Sequence, residues 1–170
     1  MRNIKINRFS PDKDEQCNPA NDLDTVIPCT HEEMEQHLRS FIRTFVLPHM
    51  QPRWIQFLIE NRNRWNKDQS GPDSRKALRK ADEVLRSFPL HCRSCKQLRN
   101  ADKVSETGPM NFSKHHWVYF ELRTPPCKVT VVEAEARFVL RADSAILSIR
   151  EGEFAVIFCH DGGIWHCIKT

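Results

Sequence analysis

His116-Trp117-Val118-Tyr119-Phe120-Glu121-Leu122-Arg123 marks a change of period in the chain. Val118, Phe120 and Leu122 alternate with Trp117, Tyr119, Glu121 and Arg123, the spacing of a strand. Upstream the apolar residues recur at helical intervals; downstream, short apolar runs are separated by tight turns. The switch predicts an α+β protein in which an N-terminal three-helix segment packs on a C-terminal antiparallel β-meander of about six strands.

Three helices are predicted before the switch. Thr30-His31-Glu32-Glu33 fits a capping box, with Met34, Leu38, Phe41, Ile42 and Phe45 on one face and Pro48 closing a helix over about 31–46. Pro52 suits the first position of a second helix, whose Trp54, Leu58, Asn61 and Trp65 share a face widened by Ile55, Phe57 and Ile59. Gln69-Ser70-Gly71-Pro72 breaks the chain. A third helix over about 73–88 carries Ala77, Leu78, Ala81, Val84, Leu85 and Phe88 inward, and Pro89 ends it.

Beyond residue 123, Pro125-Pro126 turns the chain, and strands are predicted over 128–131, 136–141, 145–150, 153–160 and 164–169. The joins Ala142-Asp143-Ser144, Glu151-Gly152 and Asp161-Gly162-Gly163 are too short for crossover helices, so neighbours should pair antiparallel. Alternation with charge suggests one wet face. A strongly curved meander closing into a small barrel is the alternative. Residues 1–29 read as a polar arm with Ile4, Ile6 and Phe9 as anchors for a short edge strand, and 30–170 as one α+β domain. Within that domain, 30–89 is helical, 90–115 a basic connection and 116–170 the meander.

At 170 residues, 39% hydrophobic and 28% charged, the chain is long enough to bury a core. Its start has no continuous apolar stretch of the kind a secretion signal needs, and no run reaches the roughly 18 apolar residues of a membrane span. The expectation is an intracellular protein, cytoplasmic or nuclear, with reduced thiols. The net charge of +4 is uneven. Residues 31–88 carry 11 basic against 8 acidic side chains and 89–116 carry 5 against 2, while both ends are slightly acidic.

Seven cysteines are many for such a chain, and an odd number for a disulfide framework. Cys92 and Cys95 form a CxxC, which chelates zinc from a tight turn or forms a redox disulfide; its position after a helix and before a basic loop favours metal. Cys159, His160, His166 and Cys167 flank the Asp161-Gly162-Gly163 turn. A three-residue loop setting 160 opposite 164 and 158 opposite 166 puts Cys159 and Cys167 on one face and His160 and His166 on the other. The predicted structural zinc ligands are therefore Cys92, Cys95, Cys159 and Cys167, with His91, His160 and His166 as substitutes. Cys127, alternating with Val129 and Val131, reads as core.

A Cys–His hydrolase is the enzymatic alternative, pairing Cys159 with His116 or His166, or Cys92 with a sheet histidine, and using Asp143 or Asp161 as orienter. No cysteine has the setting of an activated nucleophile, so no catalytic residue is assigned. The five glycines form no phosphate loop. Arg75, Arg79, Arg86, Arg93, Lys96 and Arg99 form a basic stripe suited to RNA or single-stranded DNA, although Asp82 and Glu83 interrupt it. Trp54 and Trp65, eleven residues apart, are either core or the anchor of a partner interface. The leading expectation is a small protein-interaction module, inhibitory or adaptor in kind, with nucleic-acid binding next.

Overall fold

The computed structural model describes residues 26–62, 71–98, 115–141 and 143–170. It is an α+β arrangement of five helices and a seven-stranded antiparallel sheet that does not close. The strands are β1 (Ile27–Pro28), β2 (Cys95–Gln97), β3 (Trp117–Glu121), β4 (Cys127–Val129), β5 (Ala145–Arg150), β6 (Phe154–Phe158) and β7 (Ile164–Ile168), in spatial order β1-β4-β3-β5-β6-β7-β2.

The first helix, α1 (His31–Phe45), starts at the expected cap, where the Thr30 hydroxyl accepts from the Glu33 amide at 3.0 Å. It is moored to the sheet by polar contacts as well as by its apolar face. Gln36 and Ser40 donate to the two oxygens of Glu151 at 2.9 and 2.6 Å, His37 Nδ1 lies 2.8 Å from Ser148 Oγ, and Glu33 pairs with Lys128. Gly152, at φ 65°, brings the β5–β6 turn against α1: a Cβ there would lie 3.3 Å from Thr44 Oγ1. After α1 come α2 (Gln51–Ile55), which widens into a π turn over Gln56–Glu60, then α3 (Pro72–Arg86) and α4 (Phe88–His91). Their apolar faces meet Val118, Phe120, Ile146, Ala155, Ile157, Cys159 and Cys167 on one side of the sheet.

The fifth helix, α5 (Val131–Arg141), replaces the strand expected over 136–141. Thr130-Val131-Val132-Glu133 repeats the Thr-x-x-Glu signature seen at residue 30, and here too the threonine hydroxyl accepts from the amide three residues on, at 3.2 Å. Val131, Ala134 and Phe138 then fall on one helical face, and Glu133 pairs with Arg137 at 2.8 Å across one turn. The local cap and the i, i+4 pair outweigh the β preference of the valines.

The consequence is architectural. β4 and β5 both pair antiparallel with β3, one on each side of it, and α5 crosses between them. The pairing is therefore not a sequential meander. The face expected to be wet is covered, with Val129, Ala145, Leu147, Val156 and Phe158 fully buried under α5, whose Phe138 ring lies 5.2 Å from that of Phe158. Two further departures are at the edges. The connection expected to be irregular contributes β2, and Ile27–Pro28 pairs with β4. The edge strand expected from Ile4, Ile6 and Phe9 lies outside the described residues.

Candidate functional site

Cys92-Arg93-Ser94-Cys95 is the junction between the helical layer and the last edge of the sheet. Cys92 bridges to Val46, Arg93 N–H donates to Phe45 O at 2.7 Å, and Leu47 N–H donates to His91 O at 2.8 Å. The Arg93 guanidinium donates to Thr44 O and Arg43 O at 2.8 and 2.6 Å, closing carbonyls left open at the end of α1. Ser94, at φ 55°, takes the left-handed conformation uncommon for a residue with a side chain and turns the chain into β2.

There Cys95 lies directly opposite Cys167. Ile168 N–H donates to Ser94 O at 3.1 Å, and Leu98 N–H to Ile164 O at 2.8 Å. These bonds fall on the 94/168 and 98/164 positions, so Cys95/Cys167 is a non-hydrogen-bonded pair, in which the Cα atoms approach to about 4.5 Å. The two sulfurs are 2.7 Å apart, and Cys95 Sγ is also 3.0 Å from Arg93 O. Cys92 completes the group through a thiol hydrogen bond with Cys95 and a 3.7 Å contact to Pro89 O. Cys167 is fully buried, while Cys92 and Cys95 are half-buried. Burial, reinforced by Cys95, pushes the Cys92 thiol up to about 11 and holds Cys167 well above the ordinary thiol range.

The other expected ligands are placed elsewhere. The hairpin pairs Phe158 with Ile164 and closes with Cys159 N–H on Gly163 O, two residues out of the expected register. Gly162 at φ 89° and the Asp161 carboxylate accepting from Gly163 N–H make this turn. Cys159 and Cys167 do share the helix-facing side, but Cys167 pairs with Ala155, four residues from Cys159 and about 13 Å along the strand. Ligands of one zinc have sulfurs only about 4 Å apart. Cys159 is fully buried and pushed up to about 12 by burial and the Asp161 charge. His91 Nδ1 bonds Ser87 Oγ at 2.9 Å, and His160 is exposed in the turn. His166 is on the opposite side of the sheet, edge-on to Phe154. Among the described residues, no group of three or more His, Cys, Asp or Glu side chains is placed to hold a metal ion.

His166 has a physical consequence of its own. Its Nε2 is buried with no hydrogen-bond partner among the described residues, and burial holds the imidazole below its ordinary value. The unfolded chain therefore takes up a proton near pH 6.5 that the folded chain accepts only at lower pH. Stability contributed above that range is lost as pH falls through it. His37 and His91 are shifted by burial in the same direction. Urea midpoints are expected to fall between pH 7.5 and pH 5, and to fall less in His166→Phe. An unchanged acid loss in that variant removes His166 as its source.

The opposite faces of Cys159 and His166 also part the expected hydrolase pair. Asp143 is ion-paired with Arg123 at 3.7 Å, and Asp161 is occupied in the turn. The basic stripe is divided in the same way. Arg79 pairs with Glu83 at 3.8 Å, Arg86 pairs with Asp82 at 2.8 Å, and Arg93 serves α1. Arg75 and Lys96 are exposed on separate elements, and Arg99 lies outside the described residues. Trp54 is a correction: it is fully buried against Phe41 and Phe88, with ring centroids 6.4 and 5.9 Å away, so it anchors the core and no partner. Trp65 lies outside the described residues.

What the sequence reading missed is the outer face of α5. Val132, Ala136, Val139 and Leu140 follow one another at i, i+4, i+7 and i+8, opposite the face that packs on the sheet, and Val139 and Leu140 are 80% and 84% exposed. Reading 136–141 as a strand hid this stripe, because alternation assigns every second residue to the core. The chain matches no family model, no curated protein and no solved structure. No helix among the described residues is long and apolar enough to cross a membrane.

Proposed function

We propose that the protein is a small intracellular protein-interaction module that docks through the outer face of α5. The observation that carries the reading is the adjacent exposure of Val139 and Leu140 on a helix whose other face is already packed. Anchors at i, i+4, i+7 and i+8 are the pattern of a helix laid into a groove. The helix has 11 residues, about 16 Å of length, which is short of the roughly 800 Å² per partner of a stable interface if two copies met helix to helix. A groove in a different protein, enclosing α5 on both sides, supplies more area. Glu133 and Glu135 flank the stripe and favour a basic rim around that groove over a phosphate backbone or an anionic membrane.

The test is the double variant Val139→Asp/Leu140→Asp. It is expected to leave circular dichroism and melting temperature essentially unchanged, since neither side chain is in the core. A photoreactive residue at 136 should crosslink one protein in cells. Binding of that purified protein is expected to weaken at least 30-fold in the double variant. A concentration-dependent dimer abolished by the variant replaces this reading with self-association. Absence of a specific crosslink, or binding that survives both aspartates, overturns it.

A further inference from the structure

Cys95 and Cys167 face each other across an edge ladder, and that juxtaposition is independent of the α5 surface. We propose that they form a reversible redox site: a cross-strand disulfide that ties the edge strand β2 to β7, made by exchange with a small-molecule disulfide such as oxidised glutathione.

Three observations converge on this pair. The register sets the two residues opposite one another at a non-hydrogen-bonded position, whose Cα spacing of about 4.5 Å falls inside the range a disulfide spans. The sulfurs are already in contact at 2.7 Å, so bond formation requires a local approach and no rearrangement of either strand. Access is asymmetric as well: Cys95 is half-buried on an edge strand, whereas Cys167 is sealed in the core. An oxidant therefore meets Cys95 first, and the resolving thiol lies behind it.

The chemistry balances in two exchanges. The Cys95 thiolate attacks one sulfur of the small disulfide, forming a mixed disulfide and expelling one thiolate of the reagent. The Cys167 thiolate then attacks the Cys95 sulfur, forming the Cys95–Cys167 bond and expelling the second reagent thiolate. Two protein thiols are oxidised, two protons are released, and one small disulfide is reduced to two thiols. The reverse sequence with excess reduced thiol restores the starting state. Cys92, hydrogen-bonded to Cys95, is the competing partner within the same group. Its half-buried thiol lies on the helical side, where the Val46 bridge holds its backbone, while the ladder sets Cys167 directly across from Cys95.

The experiment uses the full chain, equilibrated with oxidised glutathione or with excess dithiothreitol, then alkylated and mapped by mass spectrometry. The expected result is a Cys95–Cys167 linked peptide, a loss of about 2 mass units without retained glutathione, and full reversal by dithiothreitol. The link closes a loop of roughly 70 residues, so the melting temperature is expected to rise by about 10 °C on oxidation. Cys95→Ser should abolish both the link and the rise. Cys92→Ser should keep both, and it stays informative if changing the buried Cys167 disturbs folding. A dominant Cys92–Cys95 link overturns the assignment. So does full alkylation of all thiols after oxidation, or about one zinc per purified chain that shields these thiols from alkylation.

Discussion

Trp54→Ala is expected to cost about 3–5 kcal/mol and to give the largest loss of any single change in the helical layer. The indole is fully buried, and the rings of Phe41 and Phe88 close on it from α1 and α4, with Phe88 in turn edge-on to Trp165 of β7 at 6.4 Å. Deleting it opens a cavity at the point where three helices meet the sheet, and rigid aromatic neighbours collapse poorly into such a space. Trp54→Phe separates packing from polarity. The Nε1 donor is buried with no hydrogen-bond partner among the described residues, so phenylalanine removes an unsatisfied group while keeping most of the ring volume. Its net cost is expected to stay within about 1.5 kcal/mol. Urea unfolding of both variants checks the pair. Equal losses would show that the indole N–H is satisfied and contributes to stability.

Trp54 also shows what the sequence made legible. The spacing of Trp54 and Leu58 gave a helix, but spacing reports which residues share a face and says nothing of what covers it. The same holds for α1, where the Thr30 cap and the Met34, Leu38, Phe41, Ile42 and Phe45 stripe are found as expected because cap and stripe are local. β5, β6 and β7 follow for the same reason, each bounded by a short turn. Where local signals compete, the reading fails. Val131 and Val132 favour a strand, whereas Thr130 and Glu133 cap a helix, and the cap prevails. That one element changes the topology, covers the second face of the sheet and creates the exposed stripe.

The thiol site was half legible for a different reason. CxxC at 92–95 and the choice of Cys167 are sequence features, and both residues meet in the structure. Their meeting depends on β2, a three-residue edge strand from a stretch without a strong pattern, and on a register that β7 imposes from 70 residues away. Cys159 failed as its companion through a shift of two residues at the Gly162 turn. A shift of two keeps every side chain on its face while moving it about 7 Å along the strand, so face assignments survive where proximity does not.

Glu121→Ala is the second large expected effect, about 2–4 kcal/mol, and it tests how α5 is held. The carboxylate is buried in β3, on the α5 side of the sheet. It accepts from Tyr119 Oη and Thr124 Oγ1, each at 3.0 Å, and pairs with Arg141 at the end of α5 at 3.4 Å. One turn earlier, Arg137 lies 5.4 Å over the Tyr119 ring while donating to Glu133. Removing the carboxylate leaves a buried phenol and hydroxyl without their acceptor and releases the last turn of α5. Glu121→Gln keeps the shape and one acceptor oxygen, so its cost is expected to be about half as large. Tyr119, the single tyrosine of the chain, supplies a readout that packing loss alone does not move. Its ionisation is held well above the ordinary phenol range by burial first and by the Glu121 charge second, against the lowering influence of Arg137 and Arg141. In Glu121→Gln the charge is gone while both arginines remain, so the alkaline midpoint read by ultraviolet absorbance should fall while the fold is retained. Amides of 131–141 should exchange faster with solvent at the same time. A stable Glu121→Gln protein whose tyrosine midpoint does not move would show that Glu121 is not the group that couples β3 to α5.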